Sequence, residues 1–134
     1  MKVAYITDES YLQHDTGATH PESPERLRAI NSAIAGLGTK LLFKTPLIAT
    51  ESTLTLVHSQ EQIDRVKEAS DSGQTIDSDT ICSSASYKVA CKAVGAGLAA
   101  LDGIKAKVFE RAFCAVRPPG HHATPNTSMG FCLF

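Results

Sequence analysis

Short apolar runs alternating with stretches of helical spacing predict an α/β protein built on a parallel sheet. The runs are residues 3–6, 41–43 and 111–116, apolar almost throughout, as suits strands buried on both faces. Between them, apolar residues recur every three or four positions, the mark of helices with one inward stripe. The chain has 134 residues, which corresponds to one domain or a part of one.

The first strand is Val3, Ala4, Tyr5 and Ile6. A single basic residue, Lys2, precedes it and Asp8 follows, a pattern unlike a secretion signal. Residues 8–22 form a polar loop containing Gly17 and ending in His20-Pro21-Glu22. Ser23 as N-cap, Pro24 at the first helical position and Glu25 in the first turn then start a helix. Leu27, Ile30, Ala33, Ile34 and Leu37 make its inward stripe, and Gly36 and Gly38 stop it. Arg26 borders that stripe, so its guanidinium needs a partner, and a snorkelling or ion-paired structural role follows.

Leu41, Leu42 and Phe43 give the second strand. Thr50 caps a short turn carrying Leu54, Val57 and His58, the last a hydrogen-bonded structural residue. Ser59 and Gln62 form a capping box for a helix over residues 60–69, with Ile63, Val66 and Ala69 facing inward. Residues 71–84 are a polar surface loop, the kind of segment that carries binding groups. A long helix over 84–102 is rich in Ala and Gly, and its glycines require close packing to offset their helix cost. The third strand then runs over 111–116.

Composition narrows the function classes. Hydrophobic residues make up 43% and charged residues 20%, an ordinary globular balance rather than a disordered one. A net charge of -1 without any Lys/Arg run argues against nucleic acid or an anionic membrane surface as partner. No apolar stretch reaches the ~20 residues of a spanning helix. Cys82, Cys91, Cys114 and Cys132 include no C-x-x-C pair and lie mostly in apolar runs, which fits reduced thiols and a cytoplasmic protein. A zinc site from Cys114, His121, His122 and Cys132 is conceivable, but its spacing matches no common structural zinc pattern.

The most telling motif is Arg117-Pro118-Pro119-Gly120-His121-His122-Ala123, directly after the third strand. Imidazole takes and gives protons near neutrality, and this pair sits in a loop stiffened by proline. The carboxyl end of a strand is where open α/β sheets place ligands. His121 and His122 are therefore the candidate catalytic residues.

Four stretches together resemble the histone deacetylase superfamily, including its bacterial acetylpolyamine amidohydrolase and acetoin-utilisation branches. They are residues 14–26 ending in His-Pro-Glu-Ser-Pro-Glu-Arg, Val57-His58-Ser59, residues 117–123, and Met129-Gly130-Phe131-Cys132, in the family's order. The resemblance implies a three-layer, parallel-sheet arginase/deacetylase-like fold, of which residues 1–134 are an incomplete N-terminal part. It implies a metal-dependent hydrolase that removes acyl groups from acetyl-lysine or acetylpolyamine-like amines, with zinc or iron(II) in the complete domain. His122 would be general base and then general acid, and His121 its more charged electrostatic partner. Gly130 and Phe131 would line the acyl-lysine tunnel. His20 would stand at the mouth, and one of Asp77, Ser78 or Asp79 would accept a hydrogen bond from substrate backbone. Arg26 matches an arginine of the inner cavity through which the released carboxylate passes.

The family's metal ligands, an Asp-x-His segment and a later aspartate, follow the Gly-Phe-Cys motif and do not occur in these 134 residues. Nor do the second tunnel aromatic, the carbonyl-polarising tyrosine and the carboxylates that orient the histidines. The expectation is a chain that binds no metal and is inert by itself. A half-built sheet exposes an edge and apolar surface, so the chain is expected to pair with a complementary C-terminal chain or with itself. The alternative is a non-catalytic remnant or interaction module that keeps the front half of the fold. An α/β protein with a merely structural histidine pair ranks behind both.

Overall fold

The computed structural model describes residues 1–37 and 40–134. Three strands form one parallel sheet: β1 (Val3–Ile6), β2 (Leu41–Lys44) and β3 (Arg111–Cys114), in the spatial order β2-β1-β3. The central position of β1 follows from its composition. Ala4, Tyr5 and Ile6 are buried, and Tyr5 lies in register between Phe43 and Phe113. The crossovers carry α1 (Pro24–Ala35), then α2 (Glu51–Leu54), α3 (Gln60–Ser72) and α4 (Ser86–Lys105).

Alternation along β1 assigns the layers. Tyr5 faces Leu27, Ile30 and Ile34 of α1, whereas Ala4 and Ile6 face Ala96 and Ala100 of α4, with Phe109 closing that cluster. A third cluster, formed by α3 and α4, holds Leu54, Ile63, Val66, Leu133 and Phe134. The α/β fold class and the three-layer arrangement are thus as the sequence indicates.

Several local expectations are corrected. The loop 8–22 contains a 3-10 turn at Glu9–Gln13, capped by the Asp8 carboxylate, which accepts from the Ser10 amide. Five residues carry too little periodicity to announce such a turn. Ser23 makes no side-chain cap bond, so Pro24 and Glu25 mark the start of α1. That helix ends at Ala35 with Gly36 as its cap, which leaves Leu37 beyond the last turn and 66% exposed; Ala33 is exposed too. Gly38, the other expected stop, lies outside the described residues.

Thr50 and Ser59 cap as expected, accepting from the Thr53 and Gln62 amides. The return arm of the capping box does not form. Gln62 is buried instead, its carbonyl accepting from the Ser128 amide and its NH2 donating to the Asn126 carbonyl, while the Ser59 amide donates to the Pro125 carbonyl. Helix α3 runs three residues past Ala69 to a left-handed Gly73, because Ser70 is buried, donating to the Ser83 carbonyl. Close packing accounts for Gly95 and Gly103 of α4, where a β-carbon would overlap the Leu47 carbonyl and the Phe109 ring. It does not account for Gly97, which meets nothing within 4 Å.

Candidate active site

The loop that follows β3 is anchored from below. Arg117 is fully buried, and its Nε and Nη2 donate to the two Glu22 carboxylate oxygens at 2.7 and 2.8 Å. Its Nη1 donates to the Tyr11 carbonyl at 2.9 Å. This planar two-point pairing suits guanidinium and carboxylate, and it ties the Pro-Pro-Gly-His-His loop to the His-Pro-Glu loop. Burial by itself raises the Glu22 carboxyl, but the Arg117 hydrogen bonds and charge outweigh it and hold the group below the usual carboxylate range.

His14 completes this base. It is 1% exposed, its Nδ1 lies 2.7 Å from Ser86 Oγ, and its Nε2 is 3.7 Å from Glu22 Oε2. Burial, seconded by the Arg117 charge, pushes its pKa down to about 4. His14 is therefore neutral at pH 7, and its approach to Glu22 is not an ion pair. Sequence reasoning missed the whole base. The available signal was Arg117 itself, a cation at the end of a buried strand that had to find an anion.

Above the base stand the paired imidazoles. Their ring centroids are 4.2 Å apart with planes at 54°, and both residues are exposed. Among the described residues, no hydrogen bond reaches a ring nitrogen of His121 or His122 (the His122 amide donates to Cys132 Sγ at 3.4 Å). The described residues supply the position of both rings but fix neither tautomer.

Gly130 and Phe131 form the wall beside them. A β-carbon on Gly130 would lie 3.0 Å from His122 Cδ2, and Gly130 has φ +56, so glycine is favoured there on both counts. Phe131 also adopts a left-handed backbone, φ 71, uncommon for a bulky side chain and costing on the order of 1–3 kcal/mol. Its ring meets His20 edge to face, with centroids 4.8 Å apart. Gly120 is fixed by a different contact, since a β-carbon there would overlap the Phe134 carbonyl.

The three rim residues differ in their engagements. Asp77 turns its carboxylate onto its own loop, accepting from the Asp79 and Thr80 amides at 3.1 and 2.7 Å. The Asp79 carbonyl lies 2.9 Å from His20 Nε2. Ser78 and Asp79 are exposed, and Asp79 Oδ1 accepts from the Thr80 hydroxyl at 3.3 Å. Arg26 lies on the other side of the histidine loop. It is 44% exposed, donates to the Val116 carbonyl at 2.8 Å and stands 3.6 Å from Glu22. It opens onto a cleft of about 530 Å³ shared with Cys114, Val116, Pro119, Gly120 and His121. His58 is buried, with Nδ1 3.0 Å from the Thr124 carbonyl.

A metal finds no ready ligand set here. Among the described residues no three His, Cys, Asp or Glu side chains converge. The conceivable set of Cys114, His121, His122 and Cys132 is not assembled, and Cys132 is turned inward, its thiol pKa raised by burial.

Comparison with known proteins decides the family. The histone deacetylase domain model matches residues 20–134. This chain belongs to the histone deacetylase family. It is 35% identical over 127 residues to the histone deacetylase-like amidohydrolase of Pseudomonas aeruginosa, covering 92% of this chain and 33% of that one. It is 32% identical to a probable deacetylase of Archaeoglobus fulgidus, covering 98% and 38%. The crystal structure of the HDA15 HD domain superposes with a TM-score of 0.92 at 33% identity, covering 99% of this chain and 40% of that one. This histone deacetylase-family chain thus spans less than half the length of these relatives. Among its described residues, no helix is long and apolar enough to cross a membrane.

Proposed function

We propose that this chain is the acyl-amine-binding and proton-transferring front part of a metal-dependent deacetylase acting on acetyl-lysine or acetylpolyamine-like substrates. The observation that carries this reading is the pairing of His121 with His122, the approach of His122 to Gly130, and the contact of neighbouring Phe131 with His20. The Phe131 ring packs against the aliphatic stem of the acylated amine, and the Gly130 carbonyl contributes a polar contact at the same depth. Ser78 or Asp79 accepts from the substrate at the rim. His122 takes a proton from the attacking water and returns it to the departing amine. His121 adds positive charge beside the developing oxyanion. Arg26 draws the released carboxylate into the cleft it lines.

The residues in hand do not form a metal site, so no step is assigned to an ion here. The zinc or iron(II) of the complete domain has to be held by its remaining part, which also has to supply the acceptors that orient the two imidazoles. We therefore infer that residues 1–134 are inert alone and pair with a complementary C-terminal segment or with another copy. The four free cysteines fit a cytoplasmic setting.

The test is deacylation of an acetyl-lysine reporter with zinc or iron(II), with and without the remainder of the domain. Activity that appears only on complementation, and falls by about 100-fold or more in His122→Ala, supports the reading. Robust turnover by residues 1–134 alone overturns the claim of inertness. The competing reading, a non-catalytic interaction module, draws on the ring nitrogens that find no partner among the described residues. It gains if complementation restores binding of an acylated peptide without turnover.

A further inference from the structure

Three elements meet at His20. Its Nε2 faces the Asp79 carbonyl at 2.9 Å, its ring edge packs on Phe131 at 4.8 Å, and its Nδ1 lies 3.1 Å from both the amide nitrogen and the carbonyl oxygen of Glu22. The double approach to Glu22 gives Nδ1 a partner whether or not it carries a proton. An unprotonated Nδ1 accepts from the Glu22 amide, and a protonated one donates to the Glu22 carbonyl. The Asp79 carbonyl can only accept, so the contact at Nε2 is a hydrogen bond in the Nε2–H tautomer and in the imidazolium. Only the tautomer protonated at Nδ1 alone loses that bond. Glu22 is itself clamped by buried Arg117, so the ring is held by the same base that carries the histidine loop.

We propose that His20 is a positioning residue. Through its Nε2–H it latches the rim segment 77–80 to the Phe131 wall and sets the shape of the site's mouth. Asp77 is occupied by its own loop and Asp79 Oδ1 accepts from the Thr80 hydroxyl at 3.3 Å, so the latched rim offers exposed Ser78 and the remaining acceptor capacity of exposed Asp79. Such a rim recognises the backbone amides of a peptide flanking an acylated lysine, which a small acylated polyamine does not possess. A rim held in place before binding favours the peptide because less ordering remains to be done. The selectivity rests on the deacetylase reading above, whereas the latch does not.

The test replaces His20 by Phe, which keeps an aromatic edge against Phe131 and removes both nitrogens, and by Gln, which restores an N–H at similar reach. Amide exchange at Asp79 and Thr80 should quicken on the order of five- to tenfold in His20→Phe and stay near the unaltered rate in His20→Gln. Exchange in His20→Phe within about twofold of the unaltered chain overturns the latch. Should His20→Phe not fold by circular dichroism, long-range nitrogen–proton spectra of the unaltered chain decide. A proton on Nε2 is expected, and a ring protonated at Nδ1 alone overturns the proposal. In the complemented domain, KM for an acetyl-lysine peptide should rise more in His20→Phe than KM for an acetylated polyamine; equal shifts overturn the selectivity. An intact exchange difference with no turnover in any variant supports the latch and counts against the deacetylase reading.

Discussion

The base and the tip of one loop contrast sharply. Arg117 at the base has all three guanidinium nitrogens engaged and no exposure, whereas His121 and His122, four and five residues later, are exposed with unpartnered ring nitrogens among the described residues. Buried charge tolerates no vacancy, because an unpaired ion in a low dielectric costs several kcal/mol. A reactive imidazole needs the opposite, a nitrogen kept open for a proton. The loop thus combines a rigid foundation with an open tip, and each half should respond to mutation in its own way.

The largest effect should come from breaking the foundation. Arg117→Met leaves the Glu22 carboxylate buried without its partner and should lower stability by about 3–5 kcal/mol in urea denaturation. Adding Glu22→Leu to Arg117→Met should recover a large part of that loss, because both charges are then gone.

Acid should loosen the same foundation. The folded pKa of His14 is about 4, below the ordinary 6.5, so the unfolded chain binds the extra proton between those values. Stability should therefore fall as pH drops from about 6.5 toward 4, by on the order of 3 kcal/mol. His14→Gln should flatten that limb. Glu22, whose pKa is depressed, adds a second loss at lower pH, as its carboxylate takes up a proton on passing below the ordinary carboxylate range. Unfolding midpoints measured from pH 7 to pH 3.5 in both proteins check the order of these two steps.

Next in size is Gly120→Ala, which drives a methyl into the Phe134 carbonyl and should cost about 1–3 kcal/mol by thermal or urea unfolding. Smallest in stability are His121→Ala and His122→Ala, expected within about 0.5 kcal/mol of the unaltered chain. A large destabilisation from either would mean that the tip is structural after all, and the contrast would be lost.

Much of the frame was legible because it obeys local rules. Continuous apolar runs marked β1, β2 and β3, and Thr50 and Ser59 announced α2 and α3 through their hydroxyls. The histidine pair and its Gly-Phe neighbours stood out as a motif within one segment and its near sequel. What stayed hidden was long-range. Glu22 and Arg117 are 95 residues apart, and His14 meets Ser86 across 72, so no window along the chain pairs them. Gln62 offered a valid local role as the return arm of a capping box, and tertiary burial against Ser128 overrode it. Leu37 failed for a simpler reason, since the helix stopped two residues before it.

The left-handed backbone of Phe131 carries a warning for anyone who engineers this protein. Glycine or asparagine would sit there with less effort, so a library sorted only for heat resistance should enrich both. Such winners would melt later and lose the aromatic ring beside His20, so sorting of this kind would erode the wall on which the proposed function depends.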